Sequence, residues 1–303
     1  MGVRCMRKSN CLKKKLIFLL IIIGVVEVFL LIFLFQSSRE KNHLIVSFLD
    51  IGQGDSTLIR TPRNHTILID AGPTGTVVQK LGKALPFYDR TIDLAIITHP
   101  QTDHFAGFLD VAERYAIKQL ITSDIPYSSP EWEAFTKKVS EFHIPVSFVS
   151  SQRTMILEDG VSLELLWPIS MAVDTLHLPD ANEGSVVALL RYGEHEFLFT
   201  GDISADTESQ LLANNLIPDI DVLKVAHHGS KTSSSKEFIT QAQPEIAVIM
   251  VGRDNSFGHP NARTLLTLNQ AGSVVYRTDI DGDVTFASDG RTYALRTHFI
   301  GEF

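Results

Sequence analysis

Cysteine is nearly missing from this 303-residue chain: Cys5 and Cys11 are its two thiols, and both lie close to the N-terminus. Everything beyond them must fold without disulfides, and any metal site there has to be built from histidine and carboxylate. Basic residues are outnumbered as well, with a formal charge of −8. Such a balance disfavours broad electrostatic capture of nucleic acid, although a bound cation can reverse the sign inside one cleft. There is no G-x-S-x-G elbow and no G-x-x-x-x-G-K-[ST] phosphate loop, which argues against a serine-hydrolase elbow and a P-loop site. Ser233 to Lys236 spells S-x-x-K but sits in a Ser/Thr-rich stretch without a partner set. No repeat of 20 to 50 residues interrupts the chain, so solenoids and propellers are set aside. With 44% apolar and 20% charged residues and a mean hydropathy of +0.10, the chain can bury a full core, which excludes disorder.

Long apolar runs are absent except for one. Residues 16–35 (LIFLLIIIGVVEVFLLIFLF) contain eighteen Leu, Ile, Val or Phe, enough as a helix to span the ~30 Å of bilayer hydrocarbon. Glu27 is the single ionisable residue of the run. A central acid costs roughly 3 kcal/mol, whereas the apolar residues contribute roughly 5 or more in favour of insertion. Glu27 is read as a tolerated neutral carboxyl, with a contact to a partner helix as the alternative. Arg4, Arg7, Lys8, Lys13, Lys14 and Lys15 precede the run, and a mixed Arg39, Glu40, Lys41 follows it. The positive-inside rule then leaves the N-terminus in the cytoplasm and the rest outside. Residues 36–42 (QSSREKN) lack an A-x-A cleavage site, so an uncleaved anchor is expected rather than a signal peptide. Neither cysteine follows the run, which leaves a lipoprotein site unsupported. The expected organisation is a cytoplasmic basic tail at 1–15, a transmembrane anchor at 16–35, a linker at 36–43 and a catalytic domain at 44–303. Six of the 27 basic residues and one of the 35 acidic ones precede position 36, so the outer part carries a formal −13.

From His43 onward β-rich runs alternate with amphipathic stretches. Strands are expected at 44–50, 56–60, 66–70, 93–98, 161–167, 185–192, 196–200, 221–225 and 246–251, with two or three more near the C-terminus. Helices are expected at 76–85, 105–115, 130–142, 205–214, 235–241 and 261–270, and Ser234 with Glu237 has the spacing of a capping box. LAIIT and VLKVA are apolar on alternate positions of both faces, so their sheets should be covered by helices on one side and more structure on the other. Chemically loaded residues fall just after these strands, at Asp50, Asp70, His99, Asp202 and His227, where α/β folds gather their sites.

The segment IITHPQTDHFAGF holds His99, Gln101, Asp103 and His104 directly after a buried strand. Two imidazoles and a carboxylate on one turn suit zinc or manganese. FLFTGDIS adds Asp202 and DVLKVAHHGS adds His227 and His228, each at the end of an apolar strand. His43, His65, His143, His195 and His298 lack such a context and read as ordinary surface residues.

FLDIGQGDSTLI, ILIDAG, THPQTDHFAG, FLFTGD, LKVAHHGS and FGHP occur in the order seen in the metallo-β-lactamase superfamily. The chain from about residue 44 to 298 resembles in particular the extracytoplasmic hydrolase-like domain of the ComEC competence proteins. That resemblance implies an α/β (α+β) fold, a four-layer αββα sandwich, here preceded by one N-terminal transmembrane helix. It implies one or two divalent ions, zinc or manganese, activating water for hydrolysis. By motif, His99 would serve a first metal position, Asp103 and His104 a second, Asp202 would bridge the two, and His227 or else His228 would complete the second. Asp103 would also orient the attacking water, and His259 in FGHP would donate to an oxyanion or a leaving group. Asp70 would orient the metal loop, while Gln53 and Asp55 would line the substrate mouth. Gln101 stands where the superfamily carries histidine, and Asn182 stands near the place of a missing G-H-T-x-G motif. The first position therefore looks weaker than the second; His177 is a nearby but unsupported ligand.

The resemblance implies a phosphodiester substrate, with DNA among the options, although the channel region of the ComEC proteins is missing. The alternatives are an envelope hydrolase, such as a phosphorylcholine esterase suited to the acidic outer domain, and a metal-binding interaction domain with little catalysis. A lipid bilayer is the expected partner of residues 16–35; no protein partner is indicated.

Overall fold

The computed structural model describes residues 17–29, 31, 43–158, 160–169 and 181–298. The chain divides into two units, Met1–His43 and Leu44–Phe303. In the first, residues 17–29 are helical and largely exposed. No helix among the described residues is long and apolar enough to cross a membrane. The basic tail, positions 16, 30 and 32–35 of the apolar run, and the linker up to 42 lie outside the described residues.

Two large sheets, with a two-stranded one formed by Thr91–Ile92 and Ala116–Ile117, are described in the second unit. One has eight strands in the order Tyr293–His298, Asp283–Ser288, Leu44–Phe48, Thr57–Arg60, Thr66–Ile69, Leu94–Ile97, Leu120–Ser123 and Val146–Val149. The other has seven, in the order Val274–Arg277, Ile246–Ile249, Val222–Lys224, His195–Phe199, Val187–Tyr192, Val161–Trp167 and Arg153–Glu158. Alternation sorts their side chains into layers. Phe48, Ile59, Phe197, Phe199 and Phe286 fill the space between the sheets, and Phe48 meets Phe199 and Phe286 at ring distances of 6.0 Å. Leu198 and Leu223 face the other way, onto Leu211, Phe238 and Leu268 from the helices Ala205–Ala213, Lys236–Ala242 and Ala262–Ala271. Leu68 and Ile97 face Val77, Leu81, Phe135 and Val139 from the helices Thr76–Ala84 and Pro130–Glu141. The order helix, sheet, sheet, helix is the expected four-layer α/β sandwich.

Both sheets contain a parallel set. Thr66–Ile69 runs parallel to Leu94–Ile97, and His195–Phe199 to Val222–Lys224 and then Ile246–Ile249. The carboxyl ends of these strands release Asp70, His99, Asp202, His228 and Met250 into loops.

Several expectations need correction. The helix foreseen at 105–115 is broken into Thr102–Phe105 and Phe108–Ala112. Gly107 between them donates its N–H to the Gly72 carbonyl at 2.8 Å, and a Cβ there would sit 2.1 Å from the Ala71 carbonyl oxygen. Backbone contact with the LIDAG loop thus takes precedence over helix continuity. The strands Val146–Val149 and Arg153–Glu158 were not foreseen because they end their sheets and stay largely exposed, which weakens their apolar alternation. Ser235, not Ser234, caps the helix Lys236–Ala242. The amides of Ser234 and Ser235 are both taken by the buried Glu208 carboxylate, so the Ser234–Glu237 box is not formed. His195 is buried, not on the surface: its Nδ1 lies 2.6 Å from Ser288 Oγ and its ring packs on Tyr293.

Candidate metal centre

Loops from the carboxyl ends of the parallel strands meet the GQGD loop, which follows the antiparallel strand Leu44–Phe48. The THPQTDH loop is fixed from below by Asp70, whose Oδ1 accepts from Thr98 N and Oδ2 from Thr98 Oγ1, both at 2.8 Å. The GQGD loop lies against it from above. Asp55 N donates to the Asp103 carbonyl at 3.2 Å, and a Cβ on Gly54 would come within 2.4 Å of that oxygen, so only glycine permits the approach. In the HHGS loop His227 and His228 both adopt left-handed backbone, with φ of 51° and 52°. Such conformations cost non-glycine residues roughly 1 kcal/mol or more each and persist where surrounding structure enforces them. The turn buries His228 and leaves His227 half-buried.

Three imidazoles meet here. One ligand atom from each of His99, His104 and Asp202 lies within 4.8 Å of the other two, and the same holds for Asp103, His104 and His228. Asp202 Oδ2 is 3.4 Å from the Nε2 atoms of both His104 and His228, and Asp103 Oδ2 is 3.3 Å from His228 Nε2 and 4.0 Å from His104 Nε2. The Nε2 atoms of His99, His104 and His228 are buried and make no hydrogen bond. Their Nδ1 atoms all have polar neighbours: Asp70 Oδ2 at 2.8 Å for His104, the Met250 carbonyl at 2.9 Å for His228, and the hydroxyls of Thr98 and Ser185 at 3.1 and 3.3 Å for His99. Three buried imidazole nitrogens turned toward two carboxylates are the arrangement of a cation site whose imidazoles are oriented through their other nitrogen. The donor set, three imidazoles with Asp103 and Asp202, fits a divalent ion of the zinc or manganese kind.

Charge supports the same reading. Burial pulls the His104 and His228 pKa values down, but Asp202 with Asp70 and Asp202 with Asp55 outweigh it. His104 ends well above its ordinary value and His228 at about 10. His99, where burial and the neighbouring His104 both act downward, falls to about 3. Burial pushes the Asp202 and Asp103 carboxyls up, yet the imidazoles facing them hold both well below the usual range. Asp70 is raised by burial, with His104 opposing. Protons on two imidazoles thus balance carboxylates that a divalent cation would otherwise neutralise.

Lys224 completes the balance. Its ammonium is 3% exposed at the end of a strand; it donates to the Gly201 carbonyl at 2.8 Å, pairs with Asp55 and lies 3.4 Å from Asp202 Oδ1. Burial lowers the Lys224 pKa, but Asp55 and Asp202 raise it further, so the group is charged. Sequence reasoning missed Lys224, although a lone lysine inside the otherwise apolar VLKVA was a usable signal. Thr98 and Ser185 gave none, because hydroxyls at strand ends are ordinary.

The remaining expected residues are distributed as follows. Asp55 does not line a mouth: it is buried against Lys224, with Oδ1 at 3.3 Å from His228 Nδ1. Gln53 braces the C-terminal loop, its Oε1 accepting from Gly252 N at 3.1 Å. Gln101 is half-buried, and its carbonyl accepts from His104 N at 2.9 Å to start the short helix. His227 is outside the imidazole group; it lines a cleft of about 450 Å³ with Asn182, Glu183, Asp202, Ser204 and Asp206. His259 is half-buried, its ring 5.7 Å from that of His227; burial and then His227 and His228 lower its pKa. His177 lies outside the described residues.

Residues 49–253 match the family described as the Metallo-beta-lactamase superfamily. The chain is 29% identical over 268 residues to ComE operon protein 3 of Bacillus subtilis, covering 81% of this chain and 33% of that protein. It is 29% identical over 266 residues to Recombination protein 2 of Haemophilus influenzae, covering 86% of this chain and 31% of that protein. It thus spans about a third of the length of these relatives. Among solved structures it is similar to the metallo-beta-lactamase fold protein YhfI from Bacillus subtilis, with a TM-score of 0.55 at 12% identity, covering 81% of this chain and all of that one.

Proposed function

The chain belongs to the metallo-beta-lactamase superfamily, and from that premise we propose that it is a metal-dependent phosphodiesterase acting on nucleic acid. Residues 16–35 would hold it to a membrane, with the hydrolase unit on the extracytoplasmic side. The observation that carries the reading is the set of three buried, unbonded Nε2 atoms facing Asp103 and Asp202. Relationship to ComE operon protein 3 and Recombination protein 2 favours nucleic acid over other phosphodiesters.

In this mechanism His104, His228, Asp103 and Asp202 would hold a divalent ion, and His99 with Asp202 would be the residues available to a second. An ion there supplies Lewis acidity and an acidified water. Asp103 is 28% exposed, the most open of the grouped carboxylates, and it would orient the attacking water toward the cleft. Asp70 fixes the His104 ring, while the Met250 carbonyl and Asp55 fix His228. His259, neutral near pH 7 because its pKa is lowered, serves as a hydrogen-bond donor to charge developing on the phosphoryl or leaving oxygen rather than as a proton reservoir.

The test is hydrolysis by the purified full chain, supplied with zinc or manganese, of single-stranded DNA, bis-p-nitrophenyl phosphate, a phosphorylcholine ester and nitrocefin. Turnover of the first two, lost more than tenfold in Asp202→Asn, is expected. Turnover of the phosphorylcholine ester alone would select the envelope hydrolase, which the formal −13 beyond position 35 favours. Metal binding with no turnover would leave an interaction domain.

A further inference from the structure

A file of aromatic rings runs from the protein surface to the imidazole group. Phe257 is 68% exposed and lies parallel to His259, at 16° and a centroid distance of 6.0 Å. His259 stands 5.7 Å from His227, and His227 stands 6.2 Å from His228. A single exposed phenylalanine is ordinary. This one differs in ending a file of rings that leads to the site, on a loop that is held in place. Asn255 braces its loop: Nδ2 donates to the Gly252 and His259 carbonyls at 2.9 and 2.8 Å, and Oδ1 accepts from His259 N at 3.0 Å. The loop is in turn tied to the HHGS loop, where Asn261 N donates to the Gly229 carbonyl and Thr264 Oγ1 to the Ser230 carbonyl, both at 2.8 Å.

We propose that the exposed ring of Phe257 is a stacking platform for an unpaired base of the substrate strand, on the side of the site that His227 and His259 line. The inference rests on the phosphodiesterase reading and adds a specificity-determining residue to it. The ring lies nearly parallel to that of His259 and is largely exposed, so a planar base can be laid on it. Charge around the platform is mixed, since Arg253 and Asp254 are both exposed and lie four and three residues away. Stacking rather than phosphate attraction therefore distinguishes this position, and it favours single strands, whose bases present free faces.

The experiment compares the full chain with Phe257→Leu and Phe257→Trp, using a single-stranded oligonucleotide that carries 2-aminopurine and an oligomer of the same length made of abasic sites. Binding should quench 2-aminopurine fluorescence with the wild type and Phe257→Trp but not with Phe257→Leu. The preference in kcat/KM for the base-bearing oligomer should fall roughly tenfold or more in Phe257→Leu, through KM. Wild-type quenching and preference in Phe257→Leu would overturn the platform. Hydrolysis of both oligomers alike, with no quenching, would overturn it while leaving the phosphodiesterase reading intact. Quenching that depends on Phe257 without any hydrolysis would do the reverse.

Discussion

Asp70→Asn tests the carboxylate that orients the His104 imidazole and seats the loop that carries it. For His104 Nε2 to hold a cation, Nδ1 must carry the proton and donate it to Asp70 Oδ2, 2.8 Å away. Asp70 also accepts from Thr98 N and Thr98 Oγ1 at 2.8 Å. An asparagine cannot replace three acceptor contacts. With its oxygen toward Thr98 N, its NH2 meets the His104 N–H; reversed, the NH2 meets the Thr98 N–H. One pair of donors is opposed either way, or His104 takes the other tautomer and blocks its own Nε2. Loss of such an orienting carboxylate costs roughly 10- to 100-fold in metal affinity, about 1.4–2.8 kcal/mol. Backbone strain does not add to this, because asparagine tolerates the left-handed φ of 57° at this position at least as well as aspartate. Calorimetric titration of both proteins with zinc and with manganese measures the difference. Equal affinities, with the variant folded, would refute the assignment of Asp70 as the group that orients His104.

Further outcomes follow from the same geometry. His228→Ala should lose metal and more than tenfold in turnover, while His227→Ala should keep its metal and show its effect in KM; elemental analysis after dialysis separates them. Lys224→Met leaves Asp55 and Asp202 buried without their counter-charge, at about 3–5 kcal/mol. Thermal melting of the metal-free protein should fall by roughly 6–20 °C and recover in part with zinc; an unchanged melt contradicts the charge balance. Because the folded pKa of His228, about 10, lies above its ordinary 6.5, protonation stabilises the metal-free fold below pH ~6.5, and that contribution is lost as pH rises toward ~10. Metal must displace those protons, so affinity should rise over the same window. Melting with and without chelator from pH 6 to 10 checks the sign, and a metal-free curve that is flat across that window counts against it.

Much of the site was legible because polar residues directly after two-face-buried strands stand out. Asp70, His99, His104 and Asp202 are read that way, and the strands bring their loops together. The choice between His227 and His228 was not legible, since it depends on two successive left-handed residues that reverse which side chain turns inward. Asp55 was misplaced for a related reason: GQGD reads as an exposed turn until the backbone of Asp103 and the ammonium of Lys224 cover it. The helix after THPQTDH looked continuous because a glycine at position 107 carries no mark of the Ala71 carbonyl against it. Long-range backbone contacts decided each of these cases, and none leaves a trace in local periodicity.

The central claim is that the buried imidazoles and carboxylates form a divalent-cation site. Anomalous diffraction from crystals of the full chain, grown with zinc or manganese and measured at each metal edge, tests it most directly. A peak at about 2.0–2.2 Å from the Nε2 atoms of His104 and His228 and from an oxygen of Asp103 or Asp202 is predicted. Full zinc loading with the density elsewhere, or no bound ion at millimolar metal, would contradict it.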